Sequence, residues 1–201
     1  MPHQKAVQPA RVYQLNVSLR HSKPPIWRRV LVPEEFNLAQ LHGVLQCVIS
    51  WEDYHLHEFT INGRRYGVPN EEDVLLERPV QDERKMPLCR VLPRMGHSFL
   101  YLYDFGDGWR HDLLVEAIVP ADPSVRYPVC VAGKRRGPPE DCGGMGGYER
   151  FLEAIRNPLH KEHRAMLDWI GDPFDPERFS LEEINVSLKR SFPKRRERTP
   201  S

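Results

Sequence analysis

Apolar and polar positions alternate along residues 12–19, where Tyr13, Leu15, Val17 and Leu19 are interleaved with Gln14, Asn16 and Ser18. That is the two-residue period of a half-buried strand. After a loop at "RHSKPP" the alternation resumes in "IWRRVLV", with Ile26, Val30 and Val32 on one face and Trp27, Arg29 and Leu31 on the other. A hairpin is the simplest connection between the two. Pro33 ends the second strand and the period changes: Leu38, Leu41, Leu45, Val48 and Ile49 recur at helical spacing. Asn37 with Gln40 reads as a capping box, and Phe36 with Leu41 occupies the staple positions. Gly43 inside this helix costs about 1 kcal/mol relative to alanine, so it is expected to mark the close approach of another backbone.

"HLHEFTINGRRYG" predicts a strand, an Asn-Gly turn and a short return strand. Residues 69–96 are polar and punctuated by prolines, and read as a surface excursion with at most one short helix or strand. Residues 98–105 and 109–119 read as strands joined at "GDG". Residues 120–147 are rich in proline and glycine and read as one loop, longer than the ~12 to 15 residues beyond which loops in compact domains are usually functional or disordered. Tyr148, Phe151, Leu152 and Ile155 then mark a helix stopped by Pro158. Asn157 and Pro158 suit the cap and first turn of the next, with Leu159, Met166, Leu167 and Ile170 as its stripe and Gly171 as its stop. Ser180 and Glu183 open a last helix carrying Leu181, Ile184 and Leu188. The pattern predicts an α+β fold: a largely antiparallel twisted sheet, a hairpin-helix-hairpin core and C-terminal helices. It reads as a single domain over 1–190, core about 11–171, with a basic, disordered tail at 191–201.

Charge and composition narrow the partners. In 201 residues, 29 Lys plus Arg balance 28 Asp plus Glu, so there is no bulk field toward nucleic acid or an anionic membrane. Only the tail "KRSFPKRRER" could make weak, non-specific phosphate contacts. No apolar run is long enough to span a membrane and the first residues lack a signal-peptide core, which predicts a soluble, cytoplasmic protein without a membrane partner. Cys47, Cys89, Cys130 and Cys142 form no CxxC and no disulfide framework, so reduced thiols are expected. The 19 prolines are about double the usual share and disfavour an all-helical bundle.

The densest chemistry lies in "YLYDFGDGWRHD". A three-residue loop, 106–108, would pair Phe105 with Trp109 and Asp104 with Arg110, gathering the aromatics on one face; a two-residue loop would set Asp104 opposite His111. The first register is preferred. Asp104, Asp107 and His111 are candidates for metal or acid/base chemistry, against the plainer reading of an ion-paired hairpin. "HLHEF" puts His55 and His57 on one strand face, a chelating spacing that lacks a third ligand. Cys130 and Cys142, near Glu140 and Asp141, supply two sulfurs where a structural zinc site needs four ligands, so a loop anchored by a buried cysteine is the simpler account. "CGGMGGY" opens a helix, and Gly143, Gly144, Gly146 and Gly147 could present N–H groups to an anion or serve only as a joint. It is neither a Walker loop nor a dinucleotide fingerprint.

Four passages, "YQLNVSLRHSKPPIWRRVLVP", "LHGVLQCVISWEDYHLHEF", "YLYDFGDGWRH" and "GPPEDCGGMGGYERFLEAI", together resemble the plasmid pRiA ORF-three-like family, which includes a passenger protein of insertion elements. The resemblance implies a β-grasp-like α+β core and an association with plasmids and transposable elements, with no established biochemical activity. It also implies a cysteine in many members where this chain has Gly137, which puts a metal site on Cys130 and Cys142 in doubt. With no nucleophile-plus-base or complete metal motif, the expectation is a non-enzymatic accessory or interaction protein. The alternative is a metal-dependent, hydrolase-like enzyme using His55, His57, Asp104, Asp107 and His111. No cofactor is specified; a divalent metal is compatible with these side chains but is not the favoured reading.

Overall fold

The computed structural model describes residues 10–70 and 79–193. Residues 71–78 of the polar excursion, and the basic tail from residue 194 on, lie outside these. Eight strands form one open sheet among the described residues. They are β1 (Arg11–Leu19), β2 (Trp27–Pro33), β3 (His57–Ile61), β4 (Arg64–Gly67), β5 (Val80–Asp82), β6 (Ser98–Tyr103), β7 (Trp109–Pro120) and β8 (Val129–Lys134). Their spatial order is β5-β4-β3-β6-β7-β1-β2-β8. Every neighbouring pair is antiparallel except β4 and β5. The chain order hairpin, helix, hairpin is present, but the two hairpins are not neighbours, because β7 and β6 stand between them.

Helix α1 (Leu38–Ile49) starts as its sequence dictates: the Asn37 side chain accepts from the Gln40 N–H while the Gln40 side chain accepts from the Asn37 N–H. Its Leu41, Val44, Leu45 and Val48 are fully buried in one core with Tyr13, Leu15, Val17, Phe59, Tyr101 and Trp109, each worth about 1.5–3 kcal/mol for the aliphatic side chains. A Cβ on Gly43 would meet the Phe192 ring at 3.3 Å, so the close approach there is an aromatic side chain and not a backbone. Arg28, on the core face of β2, is buried and holds the end of α1: its Nε donates to the Val48 carbonyl and its Nη1 to the carbonyls of Trp27 and Lys134.

Both irregular stretches contain more structure than expected. Residues 120–147 include β8, where the short Val129–Val131 run pairs with β2 in the midst of proline and glycine. The excursion contains β5, a 3-10 turn at Glu83–Lys85 and a short helix α2 (Leu88–Val91), anchored by buried Glu83, Leu88 and Leu92. Helices α3 (Gly144–Arg156), α4 (His163–Ile170) and α5 (Leu181–Ser191) follow. Helix α4 begins later than Pro158 suggests, because the Asn157 side chain accepts from Leu159 N–H and closes a local turn. Ser180 caps α5 by accepting from Glu183 N–H. The Asn185 side chain of α5 lies against the outer edge of β8, accepting from Cys130 N–H and donating to the Cys130 carbonyl. No described helix is long and apolar enough to cross a membrane.

A cleft lined by histidines and carboxylates

The β6-β7 hairpin adopts neither expected register. Tyr103 faces Trp109 and Tyr101 faces His111, a slip of two residues from the preferred pairing. Such a slip keeps every side chain on its expected face, so the aromatic surface forms, but Phe105 leaves it and is 52 % exposed. The loop 104–108 is set by Asp104, whose backbone is left-handed (φ 55°) and whose Oδ1 accepts from the N–H groups of Gly106 and Asp107. Arg110 therefore lies opposite Leu102, and the basic group near Asp104 is His55.

Three segments far apart in sequence converge on His55. Pairing of β3 with β6 brings "HLHEF" beside Asp104. The Tyr103 hydroxyl accepts from the N–H groups of Tyr54 and His55 and donates to Glu140 Oε1 at 2.5 Å, which draws in the 138–143 loop. Burial first, then Glu140, raise the Tyr103 phenol, so it stays a donor. Asp107 Oδ2 accepts from Gly143 N–H, and a Cβ on Gly144 would fall 2.4 Å from the Asp107 carbonyl; the glycines before α3 let the hairpin turn pack directly on the helix opening. The Gly143 N–H, one of the groups expected to face an anion, thus holds the chain's own Asp107 carboxylate.

The result is a group of three residues able to act as ligands: His55, Asp104 and Asp141 each present an atom within 4.8 Å of the others. His55 Nε2 is 3.1 Å from Asp141 Oδ1 and 3.8 Å from Asp104 Oδ2. It is shielded from solvent and aligned with neither for a hydrogen bond. Ligands of a tetrahedral ion with bonds of ~2.0–2.2 Å lie about 3.3–3.6 Å apart, so these separations suit a shared ion. Asp104 Oδ1 is already held by backbone N–H groups, which orients Oδ2 inward, as supporting hydrogen bonds do in metal sites. Asp53, Asp104 and Asp141 all have left-handed backbone (φ 63°, 55° and 58°), a strain of the kind that gathers at functional sites.

Next to this group, the His42 and His57 rings stack at 3.4 Å and 4°. His42 Nε2 is 2.7 Å from Asp53, His42 Nδ1 is 2.7 Å from the Tyr101 hydroxyl, and His57 Nε2 is 2.7 Å from buried Glu83. His42, Asp53 and His57 also lie within ligand distance of one another, but parallel rings cannot both aim an in-plane lone pair at one ion between them. The hydrogen bonds fit a neutral His42 that donates to Asp53 and accepts from Tyr101, and burial, then His57, push its pKa down. His57 Nδ1 has no partner among the described residues. His55 and the stacked pair line one cleft of about 320 Å³, with Asp53, Glu83 and Phe105, and Tyr54 and Leu56 are exposed beside His55.

The other sequence candidates fall elsewhere. His111 is wholly buried under Trp51 and Tyr101. No ligand-type triad among the described residues includes Cys130 or Cys142; burial raises both thiols, Cys142 to about 12, which opposes the thiolate a metal needs. A Cβ at Gly137 would lie 2.2 Å from the Ile49 carbonyl, so a cysteine there requires this loop to move off α1. His42, Asp53 and Glu83 were not candidates in the sequence; the parity of the α1 stripe, which carries His42 into the core beside Leu41 and Leu45, was the one available signal.

Residues 11–183 match the plasmid pRiA4b ORF-3-like protein family. The uncharacterized protein y4hQ of Sinorhizobium fredii (strain NBRC 101917 / NGR234) is 37 % identical over 180 residues, 89 % of this chain and 91 % of that protein. The crystal structure of MM3350, a protein of unknown function from Methanosarcina mazei Go1, superposes with a TM-score of 0.78 at 38 % identity, covering 88 % of this chain and 98 % of that one.

Proposed function

This chain belongs to the plasmid pRiA4b ORF-3-like family, and we propose that it is an accessory protein of plasmids and transposable elements whose cleft works by binding a divalent metal ion. The observation that carries this is His55 Nε2: a shielded nitrogen without an aligned hydrogen-bond partner, between two carboxylates whose distances, 3.1 and 3.8 Å, suit shared coordination. One imidazole and two carboxylates favour a borderline or hard ion such as zinc or manganese over copper(I). The exposed Tyr54, Leu56 and Phe105 (70 %, 61 % and 52 %) give the cleft an apolar rim able to seat a partner or ligand.

A specific observation also favours a second reading, a metal-dependent hydrolase. Glu83 fixes His57 by one nitrogen and leaves Nδ1 as a lone pair in a residue lining the same cleft, the arrangement of a general base for a nearby water. Metal analysis and zinc and manganese titration of protein made without a histidine tag test the first reading. One ion per chain is expected, lost in Asp104→Asn and His55→Ala; wild-type affinity in both variants would refute the site. Turnover of an ester or phosphoester by the loaded protein, lost in His57→Gln with metal retained, would favour the hydrolase over the binding protein.

A further inference from the structure

A larger cavity of about 600 Å³ also lies against α1, lined by Arg28, Trp51, Arg136, Arg178, Phe179 and Ser180 among others. Three arginines and three carboxylates line it, and only Arg178 and Glu183 among them pair with each other. Of the carboxylates that line it, Glu183 is taken by Arg178, Asp53 by His42 and Glu52 by the Tyr54 hydroxyl. Arg28 and Arg136 have no carboxylate within ion-pair distance among the described residues. Arg136 lies over the Phe174 ring at 4.6 Å and Arg28 over Phe179 at 5.0 Å, contacts that hold a guanidinium flat without neutralising it.

Arg28 is the sharper case, being 2 % exposed. Three backbone carbonyls accept from its Nε and Nη1, which accounts for its place in the fold but supplies no counter-charge. Its Nη2 has no partner among the described residues. A buried, unpaired cation is costly, and burial lowers its pKa to about 10. The opening of α5, with Ser180 and the positive end of the helix dipole, faces the same space.

We propose that this cavity binds a small organic anion, its carboxylate or phosphate group held between Arg28 Nη2 and Arg136 and its body against Trp51. The volume is that of a metabolite site, and a guanidinium whose other nitrogens are already fixed loses little freedom on binding an oxyanion. Inorganic phosphate and succinate, titrated calorimetrically into the full chain at constant ionic strength, distinguish the two anion chemistries. Saturable one-to-one uptake of at least one is expected, weakened about tenfold or more in Arg136→Ala, the scale of one lost charge-assisted hydrogen bond. Arg28→Met should abolish it; should that variant fail to fold, Arg136→Ala decides. No saturable uptake of either probe, or unchanged affinity in Arg136→Ala, would overturn the assignment.

Discussion

At the scale of single residues, His111 shows how a polar side chain can belong to the core. It is wholly buried, both ring nitrogens lack partners among the described residues, and the Trp51 ring meets it edge-on at 5.4 Å. Burial lowers its pKa from 6.5 to about 3. The unfolded chain therefore binds a proton below pH 6.5 that the folded chain refuses until about pH 3, so stability present above 6.5 is lost as pH falls through this window. The slope is at most about 1.4 kcal/mol per pH unit from this one residue. Urea unfolding at pH 7 and pH 4 should show a smaller acid loss in His111→Leu than in the wild type; equal losses would mean that His111 is not the sensitive group. This position was legible, since its parity with Trp109 and Leu113 puts it on the apolar face. Arg28 was equally legible by parity with Ile26 and Val30, but an arginine there contradicts the usual cost of burying charge. Only the carbonyls at the end of α1, brought by tertiary packing, explain it.

At the scale of elements, local signals described the first strands and α1 well, because capping and alternation are short-range. The hairpin shows where they stop: alternation fixes which face a residue occupies, while a slip of two residues leaves the faces unchanged. What chose the register was the Asp104 side chain on two backbone N–H groups, together with Asp107 reaching across to α3. Asp107→Ala should cost about 1–2 kcal/mol in urea unfolding, the range of a lost helix cap, and should also weaken metal uptake, since Asp141 is then no longer tied to the Asp104 turn. A stability loss with wild-type metal affinity would show the tie to be structural only.

At the scale of the molecule, the candidate centre depends on sheet order, which the sequence did not reveal. His55 and Asp104 meet because β3 pairs with β6, and Asp141 joins them only through Tyr103, Glu140 and Asp107. Each residue type had a recognisable chemical meaning; their assembly required contacts between segments 36 to 48 residues apart. Strand β8 was missed for a related reason, since its short Val129–Val131 run lies inside a stretch rich in proline and glycine and becomes a strand by pairing with β2.

The amide of Asn185 on β8 has a consequence for how copies of this protein meet. By answering both the N–H and the carbonyl of Cys130, one side chain does at the sheet's outer rim what a ninth strand would do. It denies a neighbouring molecule the unpaired backbone on which edge-to-edge growth begins. Asn185→Ala should free that rim, and sedimentation should then show concentration-dependent association beyond that of the wild type. Unchanged sedimentation would mean that the body of α5 alone guards the edge.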